Sequence, residues 1–171
     1  MRVEPGSLDE RIKALKILVI DDEPYIRKVI RTLLTSIGVR SVCEAADGIE
    51  GLESIRTNAP DIVLVDWEMP LLDGPEFVRL VRSPGSFPMP NIPIVMLTGH
   101  AERSRVVAAL KAGVHEYLLK PVSSQALRTR IASILNNPRP MVRMGSYYGP
   151  TPRKPSTCKP DTGYSDLVLV N

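Results

Sequence analysis

Residues 16–38 read KILVIDDEPYIRKVIRTLLTSIG. Lys16–Ile20 is a short aliphatic run, and two carboxylates, Asp21 and Asp22, follow it directly. From Pro24 the spacing changes. Ile26, Val29, Ile30, Leu33, Leu34 and Ile37 recur at intervals of three and four, the period of one helical face. Gly38 stands where a helix C-cap glycine belongs. The stretch is therefore a strand, an acidic tip and an amphipathic helix over Pro24–Ile37.

The same unit recurs on the C-terminal side. Ser41–Ala46 reads as a strand and Asp47–Arg56 as a helix with Ile49, Leu52 and Ile55 on one side. Asp61–Asp66, Ile92–Leu97 and His115–Leu119 read as strands, and Glu76–Arg82, Glu102–Lys111 and Ser123–Leu135 as helices. Gly113 closes the second of these helices. Ser123 is placed to cap the last, which turns Leu127, Ile131, Ile134 and Leu135 inward. Five strand–helix units predict an α/β fold with a parallel sheet covered by helices on both faces. The strands are continuously apolar rather than alternating, as burial on both faces requires. On the N-terminal side, Ser7 and Glu10 have the spacing of a capping box, which predicts one more short helix. Ser83–Asn91 holds three prolines and a glycine and reads as a long loop.

Composition sets the outer limits. Hydrophobic residues make up 43% of the 171 and charged residues 24%, enough for a packed core. The apolar strand runs ILVI, IVLV and IVML are four residues each. A bilayer crossing needs about 20, so no membrane span is expected. No basic-then-apolar leader is seen. Cys43 and Cys158 are too few for a disulfide framework and lack metal-ligand spacing, so a reducing, cytoplasmic setting is expected. The net charge of +3 resides in one region. Residues 1–136 hold 17 basic and 17 acidic side chains, whereas residues 137–171 hold five and two. A neutral core is not a nucleic-acid surface, and no direct DNA binding is expected. Six of the 16 prolines fall in the last 35 residues, and Pro138 and Pro140 stop any helix arriving there. The chain thus divides into an extension (1–13), a folded domain (14–136) and a Pro-rich basic tail (137–171).

In an open parallel sheet, ligands bind beyond the carboxyl ends of the strands. Those ends carry Asp21 and Asp22, then Asp66, Thr98, and Lys120 followed by Pro121. Crowded carboxylates repel: a like pair roughly 4 Å apart costs about 4 kcal/mol at an effective dielectric near 20. A divalent cation removes that cost, and an all-oxygen ligand set suits Mg2+. Beside such a cation a carboxylate can attack phosphorus and become an aspartyl phosphate. Lys120 and the Thr98 hydroxyl would meet the added charge, and Asp66 is the central candidate. Taken singly, each residue has a plainer use. Asp21 and Asp22 could cap the helix that begins at Pro24, Asp66 could end a strand as a turn residue, and Lys120 could be a solvated charge.

The joint pattern is Asp21-Asp22, Asp66 with Met69-Pro70, Asp73-Gly74, Thr98, and Tyr117-Leu118-Leu119-Lys120-Pro121. Over residues 14–136 it resembles the receiver domain of two-component response regulators, of the stand-alone, chemotaxis-receiver-like kind. The resemblance implies a doubly wound five-stranded parallel sheet, flavodoxin-like with strand order 2-1-3-4-5, here with a Pro-rich C-terminal extension. It implies that Asp66 accepts a phosphoryl group from a phosphohistidine on a sensor histidine kinase. It implies Mg2+ held by Asp22, Asp66 and the Glu68 backbone carbonyl, with Asp21 acting through a water. Lys120 then pairs with the phosphoryl group, Thr98 swings to hydrogen-bond it, Tyr117 follows by changing rotamer, and the Lys120–Pro121 bond is cis. Glu68 and His100 lie two residues beyond Asp66 and Thr98, where family members tune the lifetime of the phosphoryl group by controlling the attacking water. Gly99 stands where many members carry alanine.

Other uses of the same chemistry are a phosphorelay intermediate without its own output and an aspartyl-phosphate phosphatase. Glu68 sits two residues after the nucleophile, as such phosphatases place an acid, but the usual cap insertion is missing. The 35 residues after the domain are too few for a helix-turn-helix output module. The output must therefore be the receiver surface, the tail or onward phosphotransfer; the resemblance implies that the face made by the Glu102–Lys111 helix and the last strand and helix responds to phosphorylation, with an unknown downstream protein as the expected partner. Tyr147–Pro150 and Pro152–Pro155 read as extended Pro-rich chain. The apolar run Leu167–Val170 suggests a homodimer in which the tails are exchanged.

Overall fold

The structure, a computed structural model, describes residues 6–152. Ser7 caps α1 (Leu8–Ala14): its Oγ accepts the Glu10 N–H, and Glu10 Oε2 accepts the Ser7 N–H. Then come β1 (Lys16–Ile20), α2 (Pro24–Ser36), β2 (Ser41–Ala45), α3 (Gly48–Asn58), β3 (Ile62–Asp66) and α4 (Gly74–Val81). β4 (Ile94–Thr98), α5 (Arg103–Ala112), β5 (Glu116–Leu119) and α6 (Ser124–Asn136) complete the alternation. The five strands are parallel in the order β2-β1-β3-β4-β5. Because successive strand side chains point to opposite faces, β1 divides between two cores. Leu18 and Ile20 join Val63, Phe77 and Met96 under α3, α4 and α5. Ile17 and Val19 join Ile12, Leu34, Leu64 and Ile131 under α1, α2 and α6. Arg11 ties α1 to the end of α6 through the Asn136 Oδ1 (2.9 Å), and Asp9 pairs with Arg128 (2.7 Å).

Two expectations change. Ile49 does not face inward: it is 59% exposed. The buried stripe of α3 is Gly48, Gly51, Ser54 and Ile55. A Cβ at Gly51 would collide with Ile20, so α3 approaches the sheet on a glycine face, which a count of apolar side chains does not reveal. The second change lies after α6. Tyr147–Pro150 is extended, but it is a paired strand rather than free Pro-rich chain. β6 (Met141–Met144) and β7 (Tyr147–Pro150) form an antiparallel hairpin around Gly145 and Ser146. The density of proline obscured two short β-prone runs separated by a two-residue turn.

The hairpin packs against the amino end of the sheet. Gly113, the left-handed C-cap of α5 (φ 105°), lies under it, and a Cβ there would sit 2.7 Å from the Tyr148 carbonyl oxygen. Arg139 donates to the carbonyls of Thr151 (3.0 Å) and His115, and the Tyr148 hydroxyl meets Asn91 Oδ1 at 2.5 Å. The long 83–91 loop is anchored by Phe87, which is buried in the core beneath the Arg56 guanidinium (5.0 Å to the ring centroid). Among the described residues no helix is long and apolar enough to cross a membrane. The expectations for Pro155 and for Leu167–Val170 fall outside the described residues.

Candidate functional site

Parallel register brings the strand tips together. Ile20 pairs with Val65, so the next residues, Asp21 and Asp66, end side by side on the central strands. Asp66 in turn pairs with Leu97 and Thr98 with Leu119, which sets Thr98 and Lys120 at the same edge. Carboxylate oxygens of Asp21, Asp22 and Asp66 all lie within 4.8 Å of one another. Asp21 is 0% exposed and Asp66 6%, whereas Asp22 is open to solvent. One ammonium serves the group: Lys120 Nζ lies 2.8 Å from Asp66 Oδ1 and 2.9 Å from Asp21 Oδ2. The Lys120–Pro121 peptide is cis.

The plainer use of the acidic pair as helix caps does not hold. The N-cap of α2 is Glu23, which makes no side-chain cap bond, and Pro24 begins the helix. Asp21 Oδ1 instead accepts the Glu23 N–H at 2.9 Å, which fixes the carboxylate toward Lys120.

Burial pushes the Asp66 carboxyl up to about 6. The hydrogen bond from Lys120 opposes that rise, while the charges of Asp21 and Asp22 add to it. Burial would depress Lys120, but its hydrogen bonds to Asp66 and Asp21 outweigh burial and hold the ammonium above its ordinary value. Three carboxylates around one ammonium leave an excess of negative charge in a site that offers only oxygen donors. That donor set fits a hard divalent cation such as Mg2+.

Thr98 and Tyr117 hold the same residue. Buried Thr98 accepts the His100 N–H on Oγ1 (3.1 Å), and half-buried Tyr117 donates its hydroxyl to the His100 carbonyl (2.7 Å). The His100 ring lies 2.9 Å from Glu68 Oε1 and 3.6 Å from Glu102 Oε1. Arg105 Nη1 reaches the same Glu68 oxygen at 3.1 Å, and its guanidinium stacks over Trp67 at 5.3 Å. The Glu68 side chain thus turns to the start of α5, and with Asp22, Asp73 and Arg105 it lines a shallow depression of about 350 Å3.

The Asp73-Gly74 pair has a local reason. Asp73 and Glu76 form a capping box that starts α4. A Cβ at Gly74 would sit 2.7 Å from the Asp66 carbonyl oxygen, so only glycine lets the helix begin this close to the central carboxylate.

Two participants were not found in the sequence. Arg27 donates to the Asp21 carbonyl (2.7 Å) and faces Glu44 (3.6 Å), bracing the tip of β1. Arg105 links α5 to Glu68 across 37 residues. The spacing of Arg105 from Glu102 was visible, but its long-range partner carries no local signal.

Comparison with known proteins agrees with this geometry. The family model described as the response regulator receiver domain matches residues 17–132. The chemotaxis protein CheY1 of Helicobacter pylori is 38% identical over 122 residues, covering 71% of this chain and 97% of that protein. Among solved structures, the chemotaxis protein CheY4 of Vibrio cholerae superposes with a TM-score of 0.63 at 29% identity, covering 70% of this chain and 98% of that one. The receiver domain of the sensor histidine kinase PA1611 of Pseudomonas aeruginosa, solved with a magnesium ion coordinated in its active site cleft, gives 0.64 at 31% identity, covering 72% and 98%. With this likeness extending through both sequence and strand order, the chain belongs to the response regulator receiver domain family.

Proposed function

We propose that Asp66 accepts a phosphoryl group from a phosphohistidine on a sensor histidine kinase, and that the phosphorylated chain changes its affinity for a downstream protein. The supporting observation is the clustering of Asp21, Asp22 and Asp66, two of which, Asp21 and Asp66, share the ammonium of Lys120. An Asp66 carboxylate oxygen attacks phosphorus, the phosphorus–nitrogen bond breaks, and the imidazole leaves with the electron pair and takes up a proton. Asp22, Asp66 and the Glu68 backbone carbonyl would hold Mg2+, with Asp21 acting through a water. Bound there, the metal offsets the charge that the carboxylates and the phosphoryl group share.

Lys120 is already poised between two carboxylates, so it can keep Asp21 while turning from Asp66 to a phosphoryl oxygen. The Thr98 hydroxyl would exchange the His100 N–H for another phosphoryl oxygen. That exchange loosens the residue whose carbonyl anchors Tyr117, so both side chains favour the same shifted state. Glu68 and His100, bridged at 2.9 Å, stand beside Asp66 and would set how long the acyl phosphate survives attack by water.

This is stoichiometric signalling, with one phosphoryl group held per chain rather than turnover of a phosphate ester. A cytoplasmic setting and a homodimer through the tail belong to the same reading. Truncation after Asn137 followed by a solution mass tests the dimer, and an unchanged oligomeric state removes it.

The central test is incubation with acetyl phosphate and Mg2+ followed by intact mass. One phosphoryl adduct is expected on the wild-type chain and none on Asp66→Asn; equal labelling of both would overturn the assignment. Glu68→Ala and His100→Ala are expected to change the rate of dephosphorylation, and unchanged rates in both remove the lifetime role.

A further inference from the structure

The hairpin creates a site at the end of the sheet away from the carboxylates. Where β6 and β7 meet the ends of α4 and α5, they enclose a groove of about 760 Å3, within the size range of small-molecule sites. Arg79, Arg82 and Lys111 line it from the receiver side, and Met144, Ser146 and Tyr148 from the hairpin. None of the described lining residues is acidic.

Arg82 is the unusual member. It is 5% exposed, and its guanidinium donates to the Gly113 carbonyl (2.9 Å) and the Pro90 carbonyl (2.6 Å) and contacts His115 Nδ1 (3.1 Å). Among the described residues no carboxylate lies within 4.0 Å of it. A buried charge is ordinarily paired with its opposite. Burial pushes this guanidinium down to about 10, so it carries its full charge at neutral pH without a counter-ion. Arg79 and Lys111 are exposed and likewise form no ion pair with a described residue. Arg143 lies over the Tyr148 ring at 5.7 Å, a further cation of the hairpin beside the groove rather than in its lining.

We infer that this groove binds a nucleotide, its phosphates held by Arg79 and Lys111 beside the buried charge of Arg82, and its base lying against Tyr148. Guanidinium and ammonium groups suit phosphate oxygens, the Ser146 hydroxyl adds a donor, and an anchored aromatic ring gives a flat base a stacking partner. Tyr148 is anchored through its hydroxyl to Asn91, so little freedom is lost when a base stacks on it. The hairpin lies beyond residues 17–132, the span matched by the family, so the groove is an addition to the common receiver.

The test titrates the full-length chain with ADP, and separately with pyrophosphate, by calorimetry. Chelator is present, so that the excess negative charge of the carboxylate edge repels both anions. ADP is expected to saturate one site, with pyrophosphate at least about tenfold weaker because it lacks the base. Arg79→Ala with Lys111→Ala removes two exposed cations and is expected to weaken ADP about a hundredfold. Tyr148→Leu is expected to weaken ADP while leaving pyrophosphate unchanged. The inference is overturned by no saturable heat with ADP, by equal affinity for ADP and pyrophosphate, or by ADP binding that survives the double substitution. Phosphoryl uptake on Asp66 needs none of these residues, so each outcome reads separately from the proposed function.

Discussion

The two ends of the sheet carry opposite charge surpluses. At the carboxyl end, three aspartates gather and one lysine bridges two of them. At the amino end, Arg82 is buried under the hairpin with carbonyls and a histidine for partners, and Arg79 and Lys111 stand nearby. The first end is short of positive charge, since three carboxylates face one ammonium and that ammonium is divided between two of them. The second satisfies its hydrogen bonds but not its charge. A fold of this size tolerates both because each surplus sits at a rim, where water or a bound ion can approach, with the apolar strands between them.

The comparison is broken most directly by removing Lys120. Lys120→Met leaves buried Asp21 and Asp66 facing each other without a cation. It is expected to destabilise the metal-free protein by about 3 kcal/mol, measured by urea denaturation at pH 7, with added Mg2+ restoring part of the loss.

Asp66→Asn probes the same surplus in the opposite direction. Its folded-state carboxyl, near 6, lies above the unfolded value. The stability it contributes is fully present below the unfolded value near 4 and is lost as pH rises through about 6. In chelator, Asp66→Asn is therefore expected to exceed wild type by about 2 kcal/mol at pH 7, the gap closing toward pH 4. A gap that stays constant between pH 4 and 7 would contradict the sign.

At the other end, Arg82→Leu removes the unpaired charge but leaves the Gly113 and Pro90 carbonyls without a donor. A cost of about 2 kcal/mol is expected, with faster amide exchange in residues 141–150 as the hairpin loosens. The smallest effect is at Ser7, distant from both surpluses. Ser7→Ala forfeits the α1 cap and is expected to cost about 1 kcal/mol, seen as a small lowering of Tm.

The two ends also differed in how legible they were. The carboxyl edge could be read because each of its groups stands directly after an apolar strand, so topology alone gathers Asp21, Asp66, Thr98 and Lys120. The strand–helix alternation was equally open, since the buried runs of β1, β3 and β4 and the spacing in α2 and α6 are local patterns. The amino end was opaque for the opposite reason. Arg82, His115, Arg139 and Tyr148 come from a helix end, a strand entry, a linker and a hairpin, and nothing in their spacing announces contact. The hairpin was hidden by its prolines, and the packing face of α3 by its glycines, because close approach there depends on side chains that are missing. Arg27 and Arg105 were hidden because long cations choose partners in space.

The placement of the hairpin also determines what can be attached to this protein. Gly145, in the turn of the hairpin, and Pro152, just after its second strand, both belong to the element packed on the amino end of the sheet, away from Asp66. A fluorescent protein, affinity handle or surface tether joined at either point would therefore leave the acidic rim free to meet a second protein, whereas an insertion in the 99–102 turn would obstruct it.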